Sequence, residues 1–431
     1  MGALTLAPLA ADLVAAHFGS QDGALAIGGI DCRELARIYG TPFYAYDGDA
    51  MQARYRALSD AVSPFARVYY SIKANPRPQI ARLFVDCGAG LEIASAGEFA
   101  AARAAGCSSD AMLFAGPGKG ARELETVLAA GLSELHVESF EEIALAGAIA
   151  ARLGRSLAVA IRINPGEAAQ GGAMRMGGKP AAFGFDEEIL AGVVAAIAAQ
   201  PALRLDGIHL FTGTQVLDAG VLLAQWRYGL DLAARLASLT GRPLARIDLG
   251  GGLGIPYHAG DPTLDLAAVA AGVPSLMARK NSDPLLRAAE VIIEPGRWLT
   301  GPAGAYVMAV RAVKVSRGQR FLVTDGGMHH HLAASGNLGQ VIKRDFPIVA
   351  ASRLGVPPTG PAQIVGPLCT PLDTLGRGTA MPDLAAGDLI AVLQSGAYGL
   401  TASPAGFLSH DPPAEILIQA GAHRAIGPDR D

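Results

Sequence analysis

A chain of 431 residues is long enough for a barrel and a second domain, with ample core. Its formal net charge is only −4, with both signs interspersed, so no basic stripe marks a nucleic-acid surface. Its four cysteines, Cys32, Cys87, Cys107 and Cys369, form no CxxC pair, which argues against a zinc cage and fits a reduced, cytoplasmic compartment.

The N-terminus is apolar, but it lacks a basic stretch and Asp12 interrupts it, so it reads as a helix rather than a signal peptide. Alanine-rich stretches such as Glu141–Leu153 fall short of the ~20 uninterrupted apolar residues of a membrane span. Candidate strands follow at Val68–Ser71, Gly90–Ala94, Met112–Phe114, Glu134–Val137, Ala158–Ile163, Gly207–Phe211, Arg246–Leu249 and Val291–Glu294. Amphipathic stretches such as Ala96–Ala105 and Val216–Leu239 separate them. This alternation predicts a parallel sheet, most simply a (β/α)8 barrel. After about Thr300 the texture changes to short β-type runs, Ala305–Val315, Gln319–Thr324 and Leu389–Leu393, between turns rich in Gly and Pro. We expect three parts: an N-terminal segment (1–45) with one strand-like piece that joins the β domain, a barrel (46–300), and a C-terminal all-β domain (301–431).

In such a barrel, chemistry belongs at the carboxyl ends of the strands. Lys73 sits there, because Asn75-Pro76 stops the strand that ends near Ser71. Burial disfavours an ammonium, and a lysine so placed can form a Schiff base with a carbonyl. On position alone, a lysine that snorkels to the strand end is the other reading. Asp248-Leu249-Gly250-Gly251-Gly252-Leu253-Gly254 also follows a strand, and glycines let backbone amides cradle a phosphate. A tight turn is the alternative, and the spacing is wrong for a dinucleotide fingerprint. Glu294-Pro295-Gly296-Arg297, Arg162 and Glu92 likewise end or lie on strands, where an ion pair is the structural alternative for each charged residue.

Tyr70-Ser71-Ile72-Lys73-Ala74-Asn75 resembles the pyridoxal-phosphate lysine motif of the group IV (fold-type III) amino-acid decarboxylases, among them the diaminopimelate, ornithine and arginine decarboxylases. Thr41–Asp47 is similar to the family's opening strand, and further motifs follow in the family's order nearly to the end of the chain. The resemblance implies an α/β fold, with an alanine-racemase-like (β/α)8 barrel and a C-terminal all-β domain. The implied activity is decarboxylation through a Lys73 Schiff base and a carbanion delocalised into the cofactor ring. It further implies that Gly250, Gly251 and Gly252 hold the phosphate and that Glu294 pairs with the pyridine nitrogen. Gly296, Arg297 and Tyr398 would then lie by the phosphate, Arg162 near the cofactor and Glu92 beside the Schiff base. Keeping the ring nitrogen protonated suits decarboxylation, because the ring can then accept the electrons that carbon dioxide leaves behind.

Gly366-Pro367-Leu368-Cys369-Thr370-Pro371-Leu372-Asp373 resembles the segment whose cysteine reaches the partner subunit's site and protonates the product, so a homodimer with shared active sites is implied. By itself, a free cysteine is more often a small buried hydrophobe. Departures from the family are informative. In Gly207–Gln215, His209 is kept as a cofactor contact, Phe211 stands where a histidine usually stacks on the ring, and Thr214 replaces a phosphate-binding serine. Diaminopimelate decarboxylases have a glutamate where Thr370 stands, and an arginine that Asp325–His331 lacks. Asp325, Thr370 and Asp373 are therefore the candidate substrate contacts. Adjacent His329, His330 and His331 point in different directions on a loop or strand, so no metal site is expected.

Met174–Gly184, Gly366–Asp373 and Gly396–Pro404 look like a narrower branch: the decarboxylases associated with exosortase systems and that of butirosin biosynthesis, which acts on a glutamyl group borne by an acyl carrier protein. The expected substrate is a small-molecule or carrier-linked amino-acid moiety with a modified distal end. Alternatives are a diaminopimelate decarboxylase of lysine biosynthesis, an amino-acid racemase and a non-catalytic cofactor-binding protein. Racemases usually place an arginine by the pyridine nitrogen, and the non-catalytic proteins are single barrels.

Overall fold

A computed structural model describes residues 6–166, 174–175, 180–338, 340 and 342–427. The signature Met174–Gly184 falls partly on 176–179, which lie outside the described residues. The chain divides into two compact units. One contains the described residues of Arg54–Ile255 and Pro262–Gly296; the other contains those of Met1–Ala53, Pro256–Asp261 and Arg297–Asp431.

The first unit holds eight parallel strands: β1 (Arg67–Ser71), β2 (Gly90–Ile93), β3 (Met112–Phe114), β4 (Glu134–Val137), β5 (Leu157–Asn164), β6 (Leu203–Leu210), β7 (Arg246–Asp248) and β8 (Glu290–Ile293). They hydrogen-bond in chain order, and β8 returns to β1 with Ile293 opposite Val68, so the sheet closes into a barrel. Most strand positions are buried, as a parallel sheet covered on both faces requires. Tyr69, Leu113 and Ile292 form an apolar cluster in this barrel. Some of the helices between the strands begin on side-chain caps that satisfy free amides: Ser95 accepts from Glu98, Ser139 from Glu142 and Asp218 from Val221. Ala219–Thr240, the longest of them, ends on Gly241 in the left-handed conformation.

The second unit is built on a mixed β-sheet. Its long strand Gly304–Ser316 pairs with Gln319–Thr324, with Leu389–Val392 and with Phe43–Asp47. Phe43–Asp47 lies between that strand and Ala414–Gln419. The apolar faces of these strands pack with the helix Pro8–His17 into one core that includes Leu13, Leu25, Phe43, Val307, Leu393 and Ile416. Among the described residues no helix is long and apolar enough to cross a membrane.

Candidate active site

The carboxyl ends of the barrel strands carry a concentrated set of polar side chains. Ser71 ends β1, and Lys73 follows in a single 3-10 turn, Ile72–Ala74, that stops at Asn75 before Pro76. Lys73 Nζ lies 3.1 Å from Glu92 Oε2 on the neighbouring strand β2. Glu92 is buried, whereas the lysine side chain is 44% exposed. The amine is thus anchored by an acid yet reachable.

The glycine loop after β7 is packed too closely for side chains. A Cβ at Gly250 would strike the Leu210 carbonyl, and one at Gly251 the Glu294 carbonyl. Gly250 and Gly252 also take positive φ, where glycine carries no steric cost. The Gly250 amide donates to Asp248 Oδ1 at 2.8 Å. The amides of Gly251 and Gly252 make no hydrogen bond to another described residue, which leaves two donors for an anion. Gly296 is tight for a different reason: a Cβ there would press on Ala74 and the Ser71 carbonyl. The Glu294–Gly296 turn therefore seats directly on the end of β1 and the turn that bears Lys73.

Glu294 lies just past β8, buried, with Oε2 at 3.4 Å from His209 Nε2. Burial works against its charge, but the adjacent His209 and Asp248 outweigh it and hold the carboxyl far below its usual range. Glu294 Oε1, His209 Nε2 and Asp248 Oδ2 are buried without a hydrogen-bond partner among the described residues. Buried orphans of this kind are costly unless something fills them. His136, His209, Asp248 and Glu294 bring one polar atom each within 4.8 Å of one another. His136 uses both ring nitrogens within the protein, one toward Glu134 and one toward His209.

Arg162, on β5, donates to Glu138 Oε1 at 2.7 Å, so the ion-pair alternative is realised there. Its guanidinium also lies 5.1 Å from the centre of the Phe183 ring. Phe211 and Thr214 are half-buried just after β6. Sequence reasoning missed Glu134, His136, Glu138 and Arg246. A signal existed: Glu134-Leu135-His136-Val137-Glu138 alternates polar and apolar residues, and Glu134–Val137 of it form a strand.

In the β-domain unit, Arg297 Nη1 donates to the Tyr257 hydroxyl at 3.0 Å, and its guanidinium lies 4.6 Å from the Tyr398 ring centre. Tyr398 holds φ at +52°, a strained value for a bulky residue. Cys369 is exposed on the Gly366–Asp373 loop. Asp373 closes that loop: its oxygens accept the backbone amides of Met328 at 2.6 Å and Leu368 at 2.9 Å. Asp325 accepts the Thr41 hydroxyl at 2.6 Å and the Ala309 amide at 2.9 Å. Thr370 accepts the Leu372 amide at 3.3 Å. His330 and His331 turn to separate partners, Tyr306 with the Asp411 carbonyl and Ser395 respectively, while the His329 ring lies against His330 at a tilt of 41°.

Residues 49–301 match the model of the pyridoxal-dependent decarboxylase family, pyridoxal binding domain. The chain belongs to this family. It is 39% identical to the L-glutamyl-[BtrI acyl-carrier protein] decarboxylase of Niallia circulans, over 91% of this chain and 92% of that one. It is 30% identical to the diaminopimelate decarboxylase of Aquifex aeolicus, over 94% and 93% of the two chains. Among solved structures, the M. jannaschii diaminopimelate decarboxylase in complex with L-lysine aligns with a TM-score of 0.87 at 25% identity, covering 95% and 94%. SrLDC in complex with PLP and cadaverine aligns with a TM-score of 0.75 at 26% identity, covering 90% and 92%. The protein is a pyridoxal-phosphate-dependent amino-acid decarboxylase on an alanine-racemase-like barrel. The residues present fit the cofactor: a reachable amine at Lys73, two free loop amides, and an orphaned buried carboxylate oxygen at Glu294.

Proposed function

We propose that this decarboxylase acts on an α-amino acid moiety whose distal end is tethered or modified, with a glutamyl group on an acyl carrier protein as the leading form. One observation carries the proposal. Where diaminopimelate enzymes place an acid and an arginine for the distal amine and carboxylate, this chain has Thr370, and Asp325–His331 contains no arginine. Asp325 and Asp373 each accept two hydrogen bonds within the β domain, one on each oxygen. Each missing charged contact would be worth on the order of 1.5–3 kcal/mol. The 39% identity to a decarboxylase named for a carrier-borne glutamyl substrate supports the same reading.

In this reading Lys73 supplies the amine that holds the cofactor, and Glu92 orients that amine. The Gly251 and Gly252 amides take the phosphate. Glu294 accepts from the ring nitrogen, and Phe211 offers an apolar face for stacking. Pyridoxal phosphate, when bound, supplies the ring that takes up the electron pair left as carbon dioxide departs. Cys369, reaching from the partner subunit of a homodimer, returns a proton to the product carbon.

The test is carbon dioxide release from purified protein given free and carrier-linked amino acids. The expected result is turnover of a carrier-linked or distally modified substrate, with free meso-diaminopimelate, lysine and ornithine poor. Turnover of free diaminopimelate at a rate matching the best substrate found would refute it.

A further inference from the structure

At the amino ends of β1 and β8 the barrel carries a pocket of about 410 Å³. Its lining includes Tyr55, Ser59, Arg67, Cys87, Lys280 and Glu290. Arg67 opens β1 and Glu290 opens β8, whereas Lys73 and Glu294 lie past the opposite ends of the same two strands. Tyr55 and Ser59 stand one turn apart on the helix Gly48–Val62, and so share a face. Lys280 comes from the last turn of the helix Leu266–Ser282.

The polar groups here are donors in search of an acceptor. Lys280 is only 8% exposed. Its ammonium donates to the Arg287 carbonyl at 3.0 Å and makes no other hydrogen bond or ion pair among the described residues. Burial lowers its pKa, and no neighbouring acid offsets that. An ammonium taken out of water normally has a counter-charge, because burying it alone is costly. Glu290, the acid in the lining, does not supply one: its two oxygens hold Arg67 at 2.7 Å and Arg246 at 3.0 Å. Arg67 uses one N–H on Glu290, and its side chain is 53% exposed, so further donors of its fork stay open.

Tyr55 adds an independent observation. It is 6% exposed, yet its hydroxyl makes no hydrogen bond to another described residue. Arg67 and Cys87 both lie within electrostatic reach of that hydroxyl, so it sits among the lining groups. The Ser59 hydroxyl, half-buried one turn on, likewise makes no hydrogen bond to another described residue. A lysine that only ties down the Arg287 turn accounts for one ammonium proton. It leaves the other two, and both hydroxyls, without acceptors.

We propose that this pocket is a second binding site, for a small oxyanion. A carboxylate or phosphate group sits on the Lys280 ammonium and accepts from the Tyr55 hydroxyl and the open side of Arg67. Charge-assisted bonds of this kind are the strong ones, and a guanidinium fork suits either anion. The ligand is distinct from cofactor and substrate, because the site lies at the other end of the strands from the chemistry. It binds the folded chain, and it therefore stabilises the barrel in proportion to its concentration.

The experiment is equilibrium dialysis of holoenzyme, in which bound cofactor occupies its own phosphate site. One arm uses radiolabelled inorganic phosphate and the other radiolabelled succinate, so that the two sources of the anion are told apart. The expected result is one saturable site per chain for at least one of them. Lys280→Gln keeps a donor for the Arg287 carbonyl but loses the charge, and should weaken binding about tenfold or more. Tyr55→Phe should weaken it about fivefold. Turnover should be unchanged in both variants when no anion is added. Acetylation of the wild type, mapped by mass spectrometry, needs no variant: the anion should protect Lys280 and leave the exposed Lys314 unprotected. No saturable binding of either probe up to about 10 mM overturns the proposal. So does saturable binding that leaves Lys280 unprotected and is the same in Tyr55→Phe, which would mark an adventitious ion only.

Discussion

Glu92 Oε2 accepts both the Ser71 hydroxyl, at 2.5 Å, and the Lys73 ammonium, at 3.1 Å. The acid on β2 therefore ties the end of β1 to the amine two residues beyond it. This fixes where the amine stands without burying it, which a lysine that must react with a carbonyl requires.

Lys73 is expected to be the residue that binds pyridoxal phosphate covalently. Purified protein should be yellow, and borohydride should fix the cofactor to the peptide containing Lys73. Lys73→Ala should be colourless and inactive. Peptide mapping that places the adduct on another lysine would count against the assignment.

Asp373 is expected to matter first for the loop that carries Cys369. Asp373→Ala strands the buried amides of Met328 and Leu368. Hydrogen bonds to a charged acceptor contribute about 1.5–3 kcal/mol each, so a loss of about 3 kcal/mol or more is expected in urea unfolding. A change below about 0.5 kcal/mol would mean that the loop is held by something else.

Cys369 and Lys73 are expected to serve one site from two subunits. Lys73→Ala and Cys369→Ala should each lose most activity, the second while retaining cofactor. In a hybrid dimer one site carries both lesions and the other carries neither. Random remixing of equal amounts should recover roughly a quarter of wild-type activity. No recovery after confirmed subunit exchange would exclude the shared site.

Acid should destabilise the fold through buried histidines before it reaches the carboxylates. Desolvation lowers His209 and His329 to about 4, and His330 and His331 to about 3. Unfolded histidines titrate near 6.5, so between about pH 6.5 and 4 the unfolded chain binds more protons than the folded one. Stability is then full above about pH 6.5 and falls as pH drops. Each such histidine adds a slope of about 1.4 kcal/mol per pH unit. Melting temperature measured from pH 8 to 4 should show this decline, and His331→Phe or His329→Phe should flatten it. A flat profile down to pH 5 would show that these imidazoles are not buried neutral.

Much of this protein was legible in its sequence because the signals are local. The barrel strands announce themselves as short apolar runs between helices, and Asn75-Pro76 marks where β1 must stop, so Lys73 falls at a strand end by backbone geometry alone. Gly250 and Gly251 were legible as a loop, although the reason they must be glycine, the carbonyls of Leu210 and Glu294, appears only in three dimensions. What only the tertiary structure decided is which distant polar residues meet. Alternation put Glu134 and His136 on one face of β4, and Arg246 and Asp248 on one face of β7, but nothing local says that these faces converge. Closing the sheet brings Arg246 to Glu134 and His136 to His209 across the interior, where low polarity makes each proton's position depend on its neighbour. Asp373 was legible only as part of a motif; folding turned its carboxylate inward onto two backbone amides, because a loop that buries its N–H groups must supply them an acceptor.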